Sequence, residues 1–163
     1  MKSLLRRSNA NGEIMTAGQV YFEDIEVGTA LAPLPKKPSN TLLFLYSAIT
    51  WNPQRIHYDK DHTLTEGYRD VIVHGPLRGA FLSQLVTRWA GEAGTLKKLS
   101  YANRDIAYVN EPLTCKGTVT RKWLEDGNGY VECEIWAENE QGARLTLGNA
   151  TVTLPFRSPK SKV

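Results

Sequence analysis

The sequence predicts an α+β fold in which an antiparallel sheet curls around one long, covered helix. Between Pro76 and Gly91, apolar residues recur at helical spacing on more than one face, which is typical of a central helix. From Leu96 onward the period changes to two, the pattern of half-buried strands. One covered helix followed by a meander of strands fits the hot-dog arrangement, and an open α+β sandwich fits the same order.

The segments before the long helix are predicted from proline, glycine and capping residues. Residues 21–28 form an extended opening segment that a turn glycine closes. The proline-rich run 33–38 is predicted to be a connecting loop, because each proline removes a backbone donor. Ser39 or Asn40 caps a short helix whose apolar positions lead through Ile49 to the next loop.

The long helix and the strands have clear boundaries. Pro76 suits the first turn of a helix, where its missing N–H would have no partner anyway, and Gly91 and Gly94 mark the end. Turn residues at 126–129 and 141–142 supply hairpin geometry. The strand segments are predicted over 96–109, 114–124, 130–138 and 145–155.

Length and composition indicate one globular domain. A chain of 163 residues with 41% hydrophobic and 23% charged residues can bury a core without metal or disulfide support. We expect a disordered leader over 1–18, a single domain over 19–156 and a basic tail over 157–163. The net charge of +3 is too small an excess to indicate a nucleic-acid partner.

The cysteines and the longest apolar run indicate where in the cell the protein is expected to lie. Cys115 and Cys133 have neither the spacing of a metal site nor that of a disulfide framework, so we expect small core residues. The apolar run 42–51 is too short to cross a bilayer. A cytoplasmic protein without a membrane partner is expected, and the arginines and serines before Glu13 leave a mitochondrial location open.

Most of the residues that could take part in catalysis lie between residues 46 and 77. His57 lies two residues before Asp59, and His74 precedes Gly75 at the predicted start of the long helix. A histidine beside a carboxylate can move a proton, and a backbone N–H at a helix start can stabilise an anion.

Three segments carry a resemblance to a known family. Residues 21–28, the run Asn52-Pro-Gln-Arg-Ile-His-Tyr-Asp59 and the run Val71-Ile-Val-His-Gly-Pro-Leu77 resemble the MaoC-like hydratases and dehydratases. The Arg-Ile-His-Tyr-Asp form is most similar to the mesaconyl-CoA hydratase branch. The likeness covers about residues 20–155.

The resemblance implies a fold, a reaction and a set of partners. It implies a hot-dog fold, dimers whose sheets join edge to edge, and reversible addition of water to a 2-enoyl thioester without a metal or redox cofactor. The expected ligand is an acyl-CoA or an acyl-carrier thioester. The expected assembly is a homodimer, a dimer-based oligomer, or a hetero-oligomer with another MaoC-like chain.

The resemblance also implies catalytic roles. His57 becomes the acid–base residue and the N–H of Gly75 becomes the oxyanion donor, since Pro76 has no N–H. The family has an aspartate five residues before the histidine, where this chain has Asn52. Asn52 then orients the water while His57 transfers the protons, or Asp59 supplies the carboxylate, or the chain is a silent subunit.

The remaining candidate residues are predicted to lie around the substrate. Arg55 either binds a substrate carboxylate, on the same side of an extended segment as His57, or forms a salt bridge with Asp59 or Asp61. Tyr58 either covers the site or packs. His74 is assigned to substrate binding, and it either fixes the Gly75 turn by a hydrogen bond to a backbone carbonyl or takes part directly in catalysis. Pro76 and Leu77 flank the oxyanion glycine and are also assigned to substrate binding.

The sequence contains no motif of a zinc site, a phosphate-binding loop or a serine-hydrolase nucleophile. The spacing of His57, Asp59 and His62 does not match the helical pattern of zinc hydrolases. No glycine-rich phosphate loop and no nucleophile elbow occur in the sequence. Besides a hydratase and a silent subunit, the same scaffold could serve an acyl-CoA thioesterase.

Overall fold

The computed structural model describes residues 18–157. The strands are β1 (Leu34–Lys36), β2 (Thr95–Asn103), β3 (Leu113–Glu125), β4 (Asn128–Glu138) and β5 (Arg144–Leu154), and the helices are α1 (Asn40–Ile49), α2 (Lys60–Thr65) and α3 (Gly75–Ala90). Single 3₁₀ turns lie at Phe22–Asp24 and Arg55–His57. The predicted leader and basic tail fall almost wholly outside the described residues.

The five strands form one antiparallel sheet in the order β1-β3-β4-β5-β2. Helix α3 contacts four of them, β2 to β5, so the sheet wraps around the helix. Side chains of β4 alternate as predicted, with Val131, Cys133, Ile135 and Ala137 all buried on the helix side. The predicted hot-dog fold is confirmed.

Helix α3 begins and ends where its proline and glycine predict. Pro76 lies in its first turn, and Gly91, at a φ of +77°, follows its last residue. Half of its residues are buried, and its apolar side chains form the centre of the core with the inner face of the sheet. This helix therefore fixes the position of the His74-Gly75 turn at its amino end.

Helix α1 is capped as predicted but is covered on only one narrow face. The Ser39 Oγ accepts a hydrogen bond from the N–H of Leu42, at 3.2 Å. Only Leu43 and Ser47 of the helix are buried. The helix therefore presents apolar side chains outward, and Trp51, at a φ of +52°, turns the chain into the next loop.

Three local predictions were wrong. Leu34–Lys36 is a short edge strand instead of a loop, and an edge strand tolerates Pro35 because its outer side needs no donors. Phe22–Asp24 is a 3₁₀ turn instead of extended chain. Strand β2 ends at Asn103 instead of continuing to Val109.

The early end of β2 has a defined cause. The N–H groups of Arg104 and Asp105 both donate to the carbonyl of Leu145, which turns the chain away from the sheet. The chain then pairs with the segment before α3, since Val73 N–H donates to the Ala107 carbonyl at 2.8 Å and Val109 N–H to the Val71 carbonyl at 2.9 Å. This second pairing supports the turn that carries His74.

The two cysteines lie in the core, as predicted. Cys115 and Cys133 are buried, and burial raises the pKa of both thiols to about 12. Both are therefore inert packing residues, as predicted. Among residues 18–157, no helix is long and apolar enough to cross a membrane.

Candidate active site

His57 is buried at the end of the Arg55–His57 turn and is held in one tautomer. Its Nδ1 lies 2.8 Å from the carbonyl oxygen of Ile72. A carbonyl only accepts, so Nδ1 carries the proton and, in the neutral ring, Nε2 is unprotonated. Burial lowers the pKa of His57, and the Ile72 hydrogen bond partly opposes this shift. The ring is therefore a neutral base with Nε2 available.

His74 is fully buried directly beneath that ring. The two imidazoles stack with their centroids 3.8 Å apart and an angle of 22° between the planes. Its Nε2 lies 2.9 Å from the Ser47 Oγ, and its Nδ1 has no hydrogen-bond partner among the described residues. Burial, followed by the nearby His57, lowers the pKa of His74 to about 4. His74 therefore stays neutral at physiological pH.

The hydrogen bonds of the two histidines differ from our expectation in one respect. A bond from His74 to a backbone carbonyl was predicted, but its partner is the hydroxyl of Ser47. The carbonyl bond belongs to His57 instead, through Ile72. The buried hydroxyl of α1 thus joins that helix to the turn before α3.

Gly75 lies at the first position of α3, where N–H groups have no partner inside the helix. A Cβ at this position would lie 2.5 Å from the Nδ2 of Asn103. Glycine therefore lets strand β2 approach the helix start closely. Of the two neighbours that we assigned to substrate binding, Pro76 is exposed and Leu77 lies in the core.

Asn52 follows α1 and is fixed by its own loop. Its N–H donates to the Ser47 carbonyl at 2.9 Å. Its Oδ1 accepts a hydrogen bond from the N–H of Gln54 at 3.2 Å. These bonds connect Asn52 to the same residue of α1 that contacts His74.

Arg55 and Asp59 contact each other. The Nη2 and Nε of Arg55 lie 2.7 and 3.0 Å from Oδ2 of Asp59. Oδ1 of Asp59 accepts the N–H of His62 at 3.0 Å and caps α2. The His62 N–H and then Arg55 lower the pKa of Asp59, which disfavours proton uptake. These contacts favour pairing and capping, and proton transfer by Asp59 stays a prediction.

The expectation that Arg55 and His57 share one side was wrong. Both lie in a 3₁₀ turn, where residues two apart point in different directions. The side chain of Arg55 is 57% exposed, whereas His57 is buried. The sequence pattern missed this because a single 3₁₀ turn has no periodicity to detect.

A cleft of about 300 Å³ opens between the end of α1 and the loop that follows it, and we call it the aromatic cleft. Its polar lining consists of Ser47 and Asn52. Its apolar lining consists of Phe44, Ala48, Trp51, Pro53 and Tyr58. The hydroxyl of Tyr58 donates to the Pro53 carbonyl at 2.8 Å, so its ring is a fixed wall of the cleft.

Sequence reasoning missed Ser47, Ile72 and Trp51. Ser47 is a polar residue in an apolar helix, and this exception to the pattern was a usable signal. Ile72 acts through its backbone carbonyl, for which the sequence has no signal. No group of three or more His, Cys, Asp or Glu side chains within residues 18–157 is arranged to hold a metal ion.

Arg78, in the first turns of α3, is a buried cation. It is 5% exposed, and its Nη1 donates to the Asp105 carbonyl at 2.6 Å and to the Leu145 carbonyl at 3.3 Å. The Nε has no partner among the described residues. Arg78 thus holds the loop after β2 against α3 and is not available to a ligand in solution.

The family of the chain follows from one comparison. The model of the hydroxyacyl-thioester dehydratase type 2 family matches residues 28–109, which include the histidine pair and the glycine turn. The chain belongs to this family. Membership of this dehydratase family confirms the predicted MaoC-like family and the predicted reaction class, hydration or dehydration of an acyl thioester.

Two curated relatives of this dehydratase family member are named hydratases. An (R)-specific enoyl-CoA hydratase from Rhodospirillum rubrum is 28% identical over 138 residues, which cover 84% of this chain and 93% of that enzyme. A mesaconyl-C(4)-CoA hydratase from Chloroflexus aurantiacus is 47% identical over 49 residues. That second match covers 29% of this chain and 18% of the relative.

Solved structures share the fold. An (R)-hydratase from A. caviae has a TM-score of 0.74 and 23% identity, and the match covers 82% of this chain and 99% of that one. A chain of the ChsH1–ChsH2 complex from Mycobacterium tuberculosis has a TM-score of 0.69 and 22% identity, with 79% and 98% covered.

Proposed function

We propose that this dehydratase family member adds water reversibly to a trans-2-enoyl thioester, giving a 3-hydroxyacyl thioester, with His57 as the acid–base residue. The observation that carries the proposal is the hydrogen bond from His57 Nδ1 to the Ile72 carbonyl. It leaves Nε2 of the neutral ring free to accept a proton from water. The N–H of Gly75, at the start of α3, is the proposed hydrogen-bond donor to the oxyanion.

The reaction balances with these groups alone. Nε2 of His57 takes a proton from water while the water oxygen forms a bond to C3. The electron pair of the C2–C3 double bond moves toward the thioester carbonyl, whose oxygen accepts a hydrogen bond from Gly75 N–H. His57 then returns the proton to C2, and no electron donor or acceptor is required.

Asn52 is proposed to position the water. A carboxamide cannot accept the proton at neutral pH, but it can hold a water by hydrogen bonds. Its location beside Ser47 and in the lining of the aromatic cleft supports this role. Correct placement of a reactant alone is worth orders of magnitude in rate.

We propose an acyl-CoA or acyl-carrier thioester as substrate, no added cofactor, and a homodimer as the working assembly. The nine-residue edge strand β2 is largely exposed and supports edge-to-edge pairing of two sheets. Asn103, at the end of that strand, lies against Gly75. A second copy added at β2 would therefore lie close to the oxyanion turn.

The test is replacement of His57 by alanine, with His62→Ala as the matched control. His62 is half-buried on α2, and its pairing with Glu66 does not involve the histidine stack. Hydration of crotonyl-CoA is followed by loss of enoyl absorbance. We expect H57A to lose about 100-fold or more in kcat, since acid–base groups contribute that much, and H62A to match the native chain. Unchanged turnover in H57A would overturn the proposed role.

The second candidate is a silent subunit of a heteromeric hydratase. Asn52 in place of the family's aspartate and the fold likeness to a chain of the ChsH1–ChsH2 complex favour it. Purified chain that stays inactive alone and gains activity only with a second family member supports this candidate. Release of free thiol from an acyl-CoA without loss of the double bond would indicate a thioesterase instead.

A further inference from the structure

We propose that the aromatic cleft binds the apolar part of the acyl group, so that the preferred substrates are enoyl thioesters with an aromatic ring or a medium-length hydrocarbon chain. This inference rests on the proposed hydratase function and specifies its substrate class. It assigns the specificity to Phe44, Ala48 and Trp51.

The first support is the exposure of the cleft walls. Trp51 is 89% exposed and Phe44 is 58% exposed, although aromatic side chains gain free energy when apolar surface leaves water. A large apolar patch on a folded chain marks a surface that binds something. Bound acyl chain would cover both rings at once.

The second support is the backbone conformation of Trp51. Its φ of +52° lies in the left-handed region, which a bulky residue adopts only when the surrounding structure holds it there. The Trp51 N–H donates to the Ala48 carbonyl and the next N–H to the Ser47 carbonyl. The C-terminal turn of α1 therefore holds the indole at the cleft.

The third support is continuity with the reacting groups. Ser47 and Asn52 line the cleft, and Ser47 also contacts His74, the ring stacked on His57. The cleft is therefore connected to His57 through Ser47 and His74, and an acyl group that extends from a thioester at His57 can reach it. A surface meant for a partner protein would not need this connection, so the acyl group is the occupant that fits.

The fourth support is the size and charge of the cleft. An apolar cavity of about 150 Å³ holds one benzene, so about 300 Å³ holds a larger ring system or a chain of several carbons. The described lining has no charged side chain. The guanidinium of Arg55 forms a salt bridge with Asp59. It would have to leave this salt bridge to bind the second carboxylate of a dicarboxylic acyl group.

The test compares three substrates in four chains. The substrates are trans-2-octenoyl-CoA, crotonyl-CoA and mesaconyl-CoA, and the readout is the ratio of their kcat/KM values. Ala48→Phe fills the cleft from an exposed helix position, and Trp51→Gly removes one wall while glycine accepts the positive φ. Ile49→Phe is the control, since Ile49 is 82% exposed and lies outside the cleft lining.

We expect the native chain to prefer octenoyl-CoA over mesaconyl-CoA by about tenfold or more, the range that apolar pocket contacts supply. A48F and W51G should lower the octenoyl-to-crotonyl ratio about tenfold, and I49F should leave it unchanged. A native preference for mesaconyl-CoA, or an unchanged ratio in A48F and W51G, would overturn the inference. So would an equal loss on all substrates with an altered oligomeric state, which would assign the cleft to a second chain.

A binding experiment separates this inference from the proposed function. Titration calorimetry compares the saturated octanoyl-CoA with acetyl-CoA in native chain and A48F. Tighter octanoyl-CoA binding that A48F abolishes supports the cleft even if no enoyl-CoA is hydrated. Equal binding of both thioesters overturns it, whatever the outcome of the activity assay.

Discussion

The imidazole of His57 stacks on that of His74, with the two ring centroids 3.8 Å apart. Each ring is held by a hydrogen bond to a different part of the chain. His57 is tied to the Ile72 carbonyl, and His74 to the Ser47 hydroxyl of α1. Two positive charges at this distance would repel strongly in a buried setting. A proton taken up by His57 therefore requires His74 to stay neutral, which its pKa of about 4 provides.

The activity should fall in acid as His57 becomes protonated. Burial lowers the pKa of His57 below its ordinary 6.5, so Nε2 is unprotonated at neutral pH and is lost as a base only as pH falls through that lowered pKa. We expect log kcat/KM for hydration to be flat near pH 7 and to decline below pH 6.5 with unit slope. A profile that already declines above pH 7 would show that another group limits the rate.

The folded state should also lose stability in mild acid because of His74. Its pKa is about 4 when folded and about 6.5 when unfolded, so between these values only the unfolded chain gains a proton. The free energy of unfolding should drop by about 1.4 kcal/mol per pH unit across most of this window. Urea unfolding between pH 7 and pH 5 measures it, and this range lies above the titration of most carboxylates.

A variant identifies the source of that slope. His74→Asn keeps a polar side chain near Ser47 but does not titrate, so its pH dependence between pH 7 and pH 5 should be shallower than that of the native chain. Equal slopes in both chains would assign the effect to other groups.

Substitutions of Asn52 should separate water positioning from proton transfer. Asn52→Ala should lower kcat by about 100-fold, as expected for a misplaced reactant. If Asn52 and His57 hold the same water, Asn52→Asp adds an anion that favours the imidazolium and raises the pKa of His57. The acid limb of the pH–rate profile should then move to higher pH. Gln54→Ala is the control, because only the backbone N–H of Gln54 contacts Asn52.

Arg78 should tolerate methionine better than lysine. Methionine removes the buried charge and leaves the Asp105 carbonyl without its donor, at a cost of about 1–2 kcal/mol. Lysine keeps the charge but lacks the planar guanidinium, and a poorly paired buried cation costs about 3 kcal/mol or more. Urea unfolding gives both values. The exposed Arg104→Met is the control, and a more stable lysine variant would contradict this account.

The elements with strong local signals were predictable. Helix α3 has a proline at its start and a glycine after its end, and from Gly129 to Glu138 the residues of β4 alternate between buried and half-buried. Each signal arises within a few residues of the element that it determines. The family motif covers His57, on the turn before α2, and Gly75, at the start of α3, and the catalytic roles that it implies stay predictions.

The remaining features depend on contacts between distant parts of the chain. The hydrogen bond between Ser47 and His74 joins residues 27 positions apart, and that between His57 and Ile72 joins residues 15 apart. Whether Arg55 pairs with a substrate or with Asp59 depends on the local turn, which the sequence leaves open. Leu34–Lys36 is a strand only because β3 lies beside it.

The two edges of the sheet are chemically unequal. Strand β1 is three residues long with Pro35 at its middle, so it offers few hydrogen-bond donors to an added strand, whereas β2 is nine residues long and six of them are exposed. A further strand can therefore be added at the β2 edge of the sheet but not readily at the β1 edge. A copy that joins at the open side satisfies that edge in both molecules and stops further addition, so pairing ends at two chains and does not proceed to a fibre.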